Sequence, residues 1–479
     1  MSSQSMAGMI IRELGHEPTA GQVRVIELLS EFITAPNESL NNQAFLLKGY
    51  AGTGKTTLVS ALVRVLPVAG LQSVLLAPTG RAAKVLSGYA QKQANTIHRK
   101  IYRASTSEDG RMTMMQAPNP HKNTLFIVDE ASMIQGPGAA GEQGIYSHLD
   151  LLEDLVEYVY RSPGCRLLLI GDNAQLPPVG LIESPALDVE VLQKKYRLSV
   201  KSYELNEVVR QSLNSGILSN ATALRGKAAE EVPETPFFDL KGFKDIRSID
   251  GTEFEDALNS CYGRFGMENT VIITRSNKRA NLFNNEVRSR ILYRETELSA
   301  GDIMMITKNN YFWIPISSKA GFIANGDLVE VRRIIKKWEM YGYHFADLIV
   351  QLVDYPEMEL IEIRMLLESI NVEKPSMPYE EMQKLQNEIM LDYTDIPSKS
   401  GRYEKLRRDP YFNAVQAKFA YALTCHKTQG GQWNAVFIDT GYLKTEMIDA
   451  SFVRWLYTAV TRATTELYLV NFNPVFFND

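Results

Sequence analysis

Eight consecutive residues, Gly49-Tyr50-Ala51-Gly52-Thr53-Gly54-Lys55-Thr56, fit the phosphate-cradling pattern G-x-x-x-x-G-K-[ST] at every fixed position. The glycines let backbone N–H groups turn inward around phosphate oxygens, and a following helix adds its partial positive charge. Gly49, Gly52, Thr53, Gly54, Lys55, Thr56 and Thr57 are therefore the candidate nucleotide-binding set. Lys55 would sit on the β- and γ-phosphates, and the Thr56 hydroxyl on Mg²⁺. A second chemical pair, Asp129-Glu130, ends the apolar run Thr124-Leu125-Phe126-Ile127-Val128. Adjacent carboxylates are costly to bury without a cation. Near a phosphate loop their roles divide: Asp129 holds Mg²⁺, and Glu130 accepts the proton of an attacking water. Gln175, in Gly171-Asp172-Asn173-Ala174-Gln175-Leu176-Pro177-Pro178-Val179-Gly180, could bond a γ-phosphate or its water and so report nucleotide state. Gln22, just upstream of the loop, could read an adenine edge, because its amide both donates and accepts. An exposed helical glutamine is the alternative reading of Gln22.

Other residues have the chemistry to hold a polynucleotide. Pro78-Thr79-Gly80-Arg81-Ala82-Ala83-Lys84 is a basic loop entering a helix, and Asn95-Thr96-Ile97-His98-Arg99 follows it. Thr79, Thr96 and His98 suit phosphate contact and base stacking. Arg81, Lys84, Lys92, Arg99, Lys100 and Arg103 form one basic stripe with no acid among residues 81–103. Arg275, Lys278, Arg279, Arg288 and Arg290 form another, opposed by Glu286 alone. Each stripe reads equally as a solvated helix face. Thr274 and Arg275 at one strand end, and His426, Lys427 and Thr428 in Cys425-His426-Lys427-Thr428-Gln429-Gly430-Gly431-Gln432-Trp433, complete the candidate contacts.

These residues need a scaffold, and the pattern of apolar runs supplies an α/β one. Phe45–Leu47, Ser73–Ala77, Thr124–Val128, Arg166–Ile170, Thr270–Thr274, Val436–Asp439 and Glu466–Val470 read as buried strands, the last closing its sheet. Ligand contacts in open α/β sheets sit in the loops at strand C-termini, where the segments that begin at Gly49, Pro78, Asp129 and Gly171 fall. Pro18 to Leu29 opens as an amphipathic helix with Thr19 as N-cap, and residues 1–17 show no clear element. Asp109-Gly110 between weakly alternating residues 101–116 predicts a projecting hairpin, a surface decoration or a wedge against a duplex. Strand signals thin out after residue 190, which suggests a domain boundary there. Ile303–Ile306, Asp327–Ile335 after an Asn325-Gly326 turn, and Phe345–Val353 read as a β-rich insertion ended by the apolar run Lys418–Thr424.

Taken in order, GYAGTGKT, APTGRAAK, ANTIHR, IVDEAS, GDNAQLPPVG, NEVVRQ, LTCHKTQGGQW and YTAVTRA resemble the motifs of superfamily 1 helicases, within them the 5′→3′ RecD-like and Dda-like group. The resemblance implies two RecA-like parallel-sheet domains in tandem, with ATP and Mg²⁺ between them, a β-hairpin pin and a small SH3-like insertion. The expected division is an extension at 1–17, a first domain at 18–190 carrying a pin at 99–123, a second domain at 191–300 and 419–479, and an insertion at 301–418. Lys55, Thr56, Asp129 and Glu130 match hydrolytic positions, and Gln175 the coupling position. Arg210 and Arg462 match arginines that reach the γ-phosphate from the second domain. Pro78, Thr79, Arg81, Lys84, Thr96, His98, Thr274, Arg275, His426, Lys427 and Thr428 are the expected DNA contacts. The pin lacks an aromatic at its tip, where Met112, Met114 and Met115 are apolar substitutes.

The expected function is an ATP-dependent 5′→3′ DNA helicase working as a monomer on single strands and duplex junctions, with replication or recombination proteins as possible partners. Alternatives are a protein-displacing translocase that unwinds weakly, or a nucleotide-gated binding module. Bulk composition agrees. The 479 residues exceed one compact domain. Hydrophobic content of 45% and charged content of 22% are ordinary for a soluble chain, and no apolar run reaches the ~18 residues of a membrane span. Three scattered cysteines, no secretory pattern and a net charge of −5 fit a cytoplasmic protein of bacterial or phage type that binds DNA through local stripes.

Overall fold

The computed structural model describes residues 2–36, 42–106, 112–135, 150–207, 215–228, 230, 233–315, 318 and 320–477. Its first sheet contains β1 (Gln43–Gly49), β2 (Gln72–Ala77), β3 (Ala94–Thr96), β6 (Thr124–Val128), β7 (Arg166–Gly171) and β8 (Ser199–Leu205). The spatial order is β3-β2-β6-β7-β1-β8, and every neighbouring pair is parallel. Both faces are covered, which is why the central strands read as unbroken apolar runs. Phe45 and Leu47 point into one core with helices Ala20–Thr34 and Lys55–Val65, while Ala44 and Leu46 point into the other with helix Leu151–Tyr160.

Two expectations change here. Residues 3–14, expected as a featureless extension, form a helix capped by Ser2. Its Met6, Ile10 and Leu14, one turn apart, bury in the core of the first sheet. The first sheet also runs past residue 190, since β8 lies alongside β1 from Gln43↔Ser199 to Gly49↔Leu205. β8 is an edge strand, largely exposed until Leu205, and so carries little apolar signal.

The hairpin is present as β4 (Tyr102–Thr106) against β5 (Met112–Gln116), in antiparallel register from Tyr102↔Gln116 to Thr106↔Met112. Its expected Asp109-Gly110 tip falls outside the described residues. A second parallel sheet has the order β16-β10-β17-β18-β9, from β9 (Ile246–Ile249), β10 (Thr270–Thr274), β16 (Ala422–Thr424), β17 (Trp433–Asp439) and β18 (Ala463–Val470). The expectation that residues 466–470 close this sheet is corrected: β18 is internal, and β9 forms that edge.

Between β10 and β16 the chain builds an antiparallel sheet from β11 (Ile303–Ile306), β12 (Leu328–Met340), β13 (Tyr343–Leu352), β14 (Ile361–Leu366) and β15 (Ala417–Phe419). The entering strand β11 and leaving strand β15 lie side by side, so the insertion starts and ends at one place. The apolar run 418–424, expected to end the insertion, is divided at Ala420-Tyr421: β15 pairs with β11, and β16 pairs with β10 in the other sheet. A buried charge cluster fixes this junction. Arg288 clasps Asp302 through two bonds of 3.1 Å, Arg294 adds one of 2.6 Å, and the Tyr421 hydroxyl donates to Asp302 at 2.9 Å.

Candidate active site

The phosphate loop leaves β1 and enters helix Lys55–Val65 through Gly52 and Gly54, at φ 76° and 81°. Side chains rarely adopt this left-handed backbone, so both positions favour glycine. Lys55 Nζ donates to the loop carbonyls of Gly49 and Tyr50, at 2.6 and 2.8 Å. Thr53 is fully buried, its hydroxyl on Tyr50 O at 2.8 Å, while Thr56 is half-buried and Thr57 exposed on the helix surface. Gln22 is not the exposed helical side chain of the alternative reading. It is 1% exposed, completes a capping box with Thr19, and donates from Nε2 to Thr53 O at 3.1 Å. Its amide N–H therefore supports the phosphate loop from behind, while its carbonyl caps its own helix by accepting from Thr19 N–H.

Asp129 and Glu130 follow β6 directly, half-buried in the cleft wall. Glu130 occupies left-handed backbone at φ 53°, a strained conformation for a residue with a side chain. Its N–H donates to Asp129 Oδ1 at 2.9 Å. Burial raises the pKa of both carboxyls, and for Glu130 it reaches about 7. Arg462 and Lys55 pull the Glu130 value down, while Asp129 and Asp172 push it up. Four chain segments thus meet at one carboxylate. Gln175 is buried beside them, and its Oε1 has no hydrogen-bond partner among the described residues.

The second sheet supplies the other wall. Helix Ala450–Val460 ends just before Arg462, which is 4% exposed and held by bonds to Thr458 O at 3.0 Å and Gly431 O at 3.2 Å. Arg210 lies outside the described residues. Three side chains that the sequence did not single out reach across the cleft. Tyr457 Oη accepts from Ala51 N–H at 2.9 Å and donates to Asp172 Oδ2 at 2.6 Å. Thr458 Oγ1 accepts from Leu176 N–H at 2.9 Å, and Gln429 Nε2 donates to Leu176 O at 2.7 Å. All three side chains lie within the quoted YTAVTRA and LTCHKTQGGQW segments, but no local pattern says that they face another domain.

The candidate DNA contacts divide. Thr79 and Thr96 cap the helices Gly80–Ala90 and Ile97–Ile101, each hydroxyl accepting a backbone N–H at 3.2 Å. Pro78 precedes Thr79 at the same half-buried loop end. Arg81 stacks over Trp433 at 4.0 Å and donates to Gln432 O, and Lys84 pairs with Asp354 of the insertion at 3.0 Å. Lys427 bonds Asn325 Oδ1 at 2.8 Å, and burial lowers its pKa to about 8. His98 has its pKa lowered to about 4 by burial, so it is a neutral ring suited to stacking. His426 is exposed, and Arg275 is exposed beside the Phe452 ring. Two expected contacts are corrected. Thr274 and Thr428 are both 0% exposed, with hydroxyls on Ser276 O at 3.1 Å and Cys425 O at 2.8 Å. Both hydroxyls serve the backbone and have no surface to offer a strand. The 275–290 stripe is also largely spent internally: Arg279 pairs with Asp439, Arg288 with Asp302, and Arg290 with Glu255 and Glu286.

Known families match two separate parts of the chain. The AAA domain family matches residues 35–235, and the UvrD-like helicase C-terminal domain family matches residues 419–470. The ATP-dependent DNA helicase dda of Enterobacteria phage T4 is 24% identical over 454 residues, covering 88% of this chain and 93% of that protein. The ATP-dependent RecD2 DNA helicase of Deinococcus radiodurans is 30% identical over 197 residues, 41% of this chain and 24% of its own length. Over most of its length, then, the chain is similar to an ATP-dependent DNA helicase, and its two family matches fall on its two parallel sheets. Among solved structures, the Bacteroides Pif1 helicase in complex with ADP-AlF3 and ssDNA gives a TM-score of 0.48 at 15% identity, covering 97% of this chain and 95% of that one.

The donor set of the cleft suits a Mg²⁺-nucleotide. The loop offers Lys55, glycine-shaped backbone and a helix N-terminus, β6 of the same sheet offers two carboxylates, and the opposite wall offers an arginine. Among the described residues, no group of three or more His, Cys, Asp or Glu could hold a metal by itself. Mg²⁺ commonly takes one or two carboxylates together with substrate phosphates, so this set fits it.

Proposed function

We propose that this protein is an ATP-dependent DNA helicase that moves 5′→3′ on single-stranded DNA and separates duplex ahead of it. The observation that carries the reading is the meeting of Lys55, Glu130 and Arg462, from opposite sides of one cleft, around a single carboxylate environment. A site divided between two sheets makes hydrolysis depend on how those sheets approach each other, and this links chemistry to movement.

In this reading Lys55 and the loop amides bind the β- and γ-phosphates, while Gln22 supports the loop and faces the adenine side. Thr56 and Asp129 would hold Mg²⁺, which when bound neutralises phosphate charge. Glu130, once deprotonated, orients the attacking water and takes its proton. Arg462, with Arg210 as a second candidate, stabilises charge developing on the transferred phosphoryl group. Gln175, whose buried Oε1 has no hydrogen-bond partner among the described residues, would report the nucleotide state through the γ-phosphate or its water. Pro78, Thr79, Arg81, Lys84, Thr96, His98, Arg275, His426 and Lys427 line the strand path between the two sheets and the insertion. The hairpin 102–116 is the proposed pin, and the 301–418 insertion the proposed cover. The likeness to the dda and RecD2 DNA helicases supports the reaction class and the choice of DNA. Function as a monomer fits a cleft that one chain completes.

Unwinding of duplexes carrying a single 5′ or 3′ tail tests this, with Lys55→Ala as the blank. The expected result is ATP-dependent separation from the 5′ tail. Separation from the 3′ tail alone would overturn the polarity, and strand-stimulated hydrolysis without separation from either tail would favour a translocase.

A further inference from the structure

The mechanism above does not use Tyr457, which makes two hydrogen bonds across the cleft. Tyr457 is 1% exposed, and so is its partner Asp172. The phenol accepts from Ala51 N–H, inside the phosphate loop, at 2.9 Å and donates to Asp172 Oδ2 at 2.6 Å. Asp172 Oδ1 in turn accepts from Ala174 N–H at 2.9 Å, on the segment that carries Gln175. The directions are fixed, because an amide can only donate and the carboxylate accepts here. A hydroxyl between them must therefore accept from one and donate to the other. Burial and the Asp172 charge push the phenol's pKa well above its usual value, so it keeps the proton it donates. Arg462 is near enough to pull the same value down, and it lies five residues further along the same chain segment.

One helix and the turn that follows it therefore carry both Tyr457 and Arg462. Tyr457 grips the phosphate loop and the Asp172 segment, and Arg462 follows the end of that helix with its guanidinium fixed by Thr458 O and Gly431 O. We propose that Tyr457 is a positioning residue for ATP hydrolysis, whose hydroxyl sets the spacing between the phosphate loop and Arg462 when the cleft is closed. This rests on the ATPase reading of the same site. Tyr457→Phe keeps the ring that packs under the loop and removes the bond to both partners. The Ala51 N–H then loses an acceptor, and the Asp172 carboxylate loses a donor in a buried place. Hydrogen bonds to charged groups are worth about 1.5–3 kcal/mol, or roughly tenfold or more in rate if expressed in the transition state.

The test is a double-mutant cycle in DNA-stimulated ATPase on the full chain, with thermal melting of every variant and Lys55→Ala as blank. Tyr457→Phe is expected to lower kcat about tenfold with KM for ATP within about twofold. In an Arg462→Ala background the same change is expected to lower kcat by less than about twofold, because the group being positioned is gone. Equal losses in both backgrounds would assign Tyr457 to general stability and overturn the proposal, as would an unchanged kcat in the otherwise native protein. Asp172→Asn gives a second route if Tyr457→Phe melts early. It should show the same dependence on Arg462, and additive losses would count against the proposal. A Lys55→Ala variant as active as the native chain would instead overturn the ATPase reading itself, an outcome separate from those of Tyr457.

Discussion

The nucleotide cleft and the 275–290 stripe both concentrate charge, and they handle it in opposite ways. Along the stripe Arg279, Arg288 and Arg290 each meet a carboxylate directly, at 2.5–3.1 Å for their nearest pairs. The result is anchorage: Arg288 and Asp302 tie the start of the insertion to the second sheet. In the cleft, Glu130 and Arg462 influence one another without an ion pair between them. Arg462 is held by carbonyl oxygens, and the Glu130 carboxyl is left with a raised pKa. Charges that satisfy one another make structure, while charges held apart by other bonds stay available for a ligand. A run of basic residues in a sequence does not separate these cases.

Substitution in each region should separate them. The largest effect is expected in the cleft: Arg462→Ala should lower DNA-stimulated ATP turnover by ~10³-fold or more, with folding unchanged by thermal melting. Glu130→Gln follows, with a loss of ~10²–10⁴-fold in turnover and retained nucleotide binding, read by a fluorescent nucleotide titration. Retained turnover in either variant would break the contrast with the stripe. Arg288→Leu should act on stability instead, because Asp302 is left buried with an incomplete set of partners. The expected cost is about 3 kcal/mol, measured by denaturant unfolding, with the ATP KM of the surviving folded protein unchanged.

A smaller effect sharpens the comparison on the DNA side. Lys427 has its pKa lowered to about 8, so its ammonium loses its proton as pH rises through 8. If that charge meets a phosphate, single-strand affinity should weaken by a few-fold between pH 7 and pH 9. Lys427→Arg should bind with little change over that range, since a guanidinium stays protonated. His98, with its pKa near 4, should add nothing to the pH dependence of binding above pH 6.

The strands that escaped sequence reading have a common property. β8 and β9 both lie at sheet edges, where one flank meets solvent and few residues are apolar. The central strands β1, β6, β7 and β10 were legible because they are covered on both faces. The N-terminal helix was legible in principle, since Met6, Ile10 and Leu14 repeat at helical spacing behind a serine cap. Thr274 and Thr428 show a different limit. Their place in a motif marks a strand end and a turn, but the direction of a short hydroxyl depends on neighbours far along the chain, and both turn inward.

By itself the sequence determined the chemistry of the phosphate side: Gly52, Gly54, Lys55, Thr56, Asp129 and Glu130 act through backbone geometry set within a few residues. It also determined the alternation of buried strands and helices that carries them. Tertiary structure alone decided what faces them. Tyr457 lies 406 residues from Ala51, and its hydroxyl reaches that amide because two separately built sheets pack along one cleft. The same packing turned Gln22 from a surface helix residue into a support for the loop, and turned half of the basic stripes into internal ties. Local spacing can specify which groups a chain owns; the partners they meet across a cleft follow from the long-range burial that brings the sheets together.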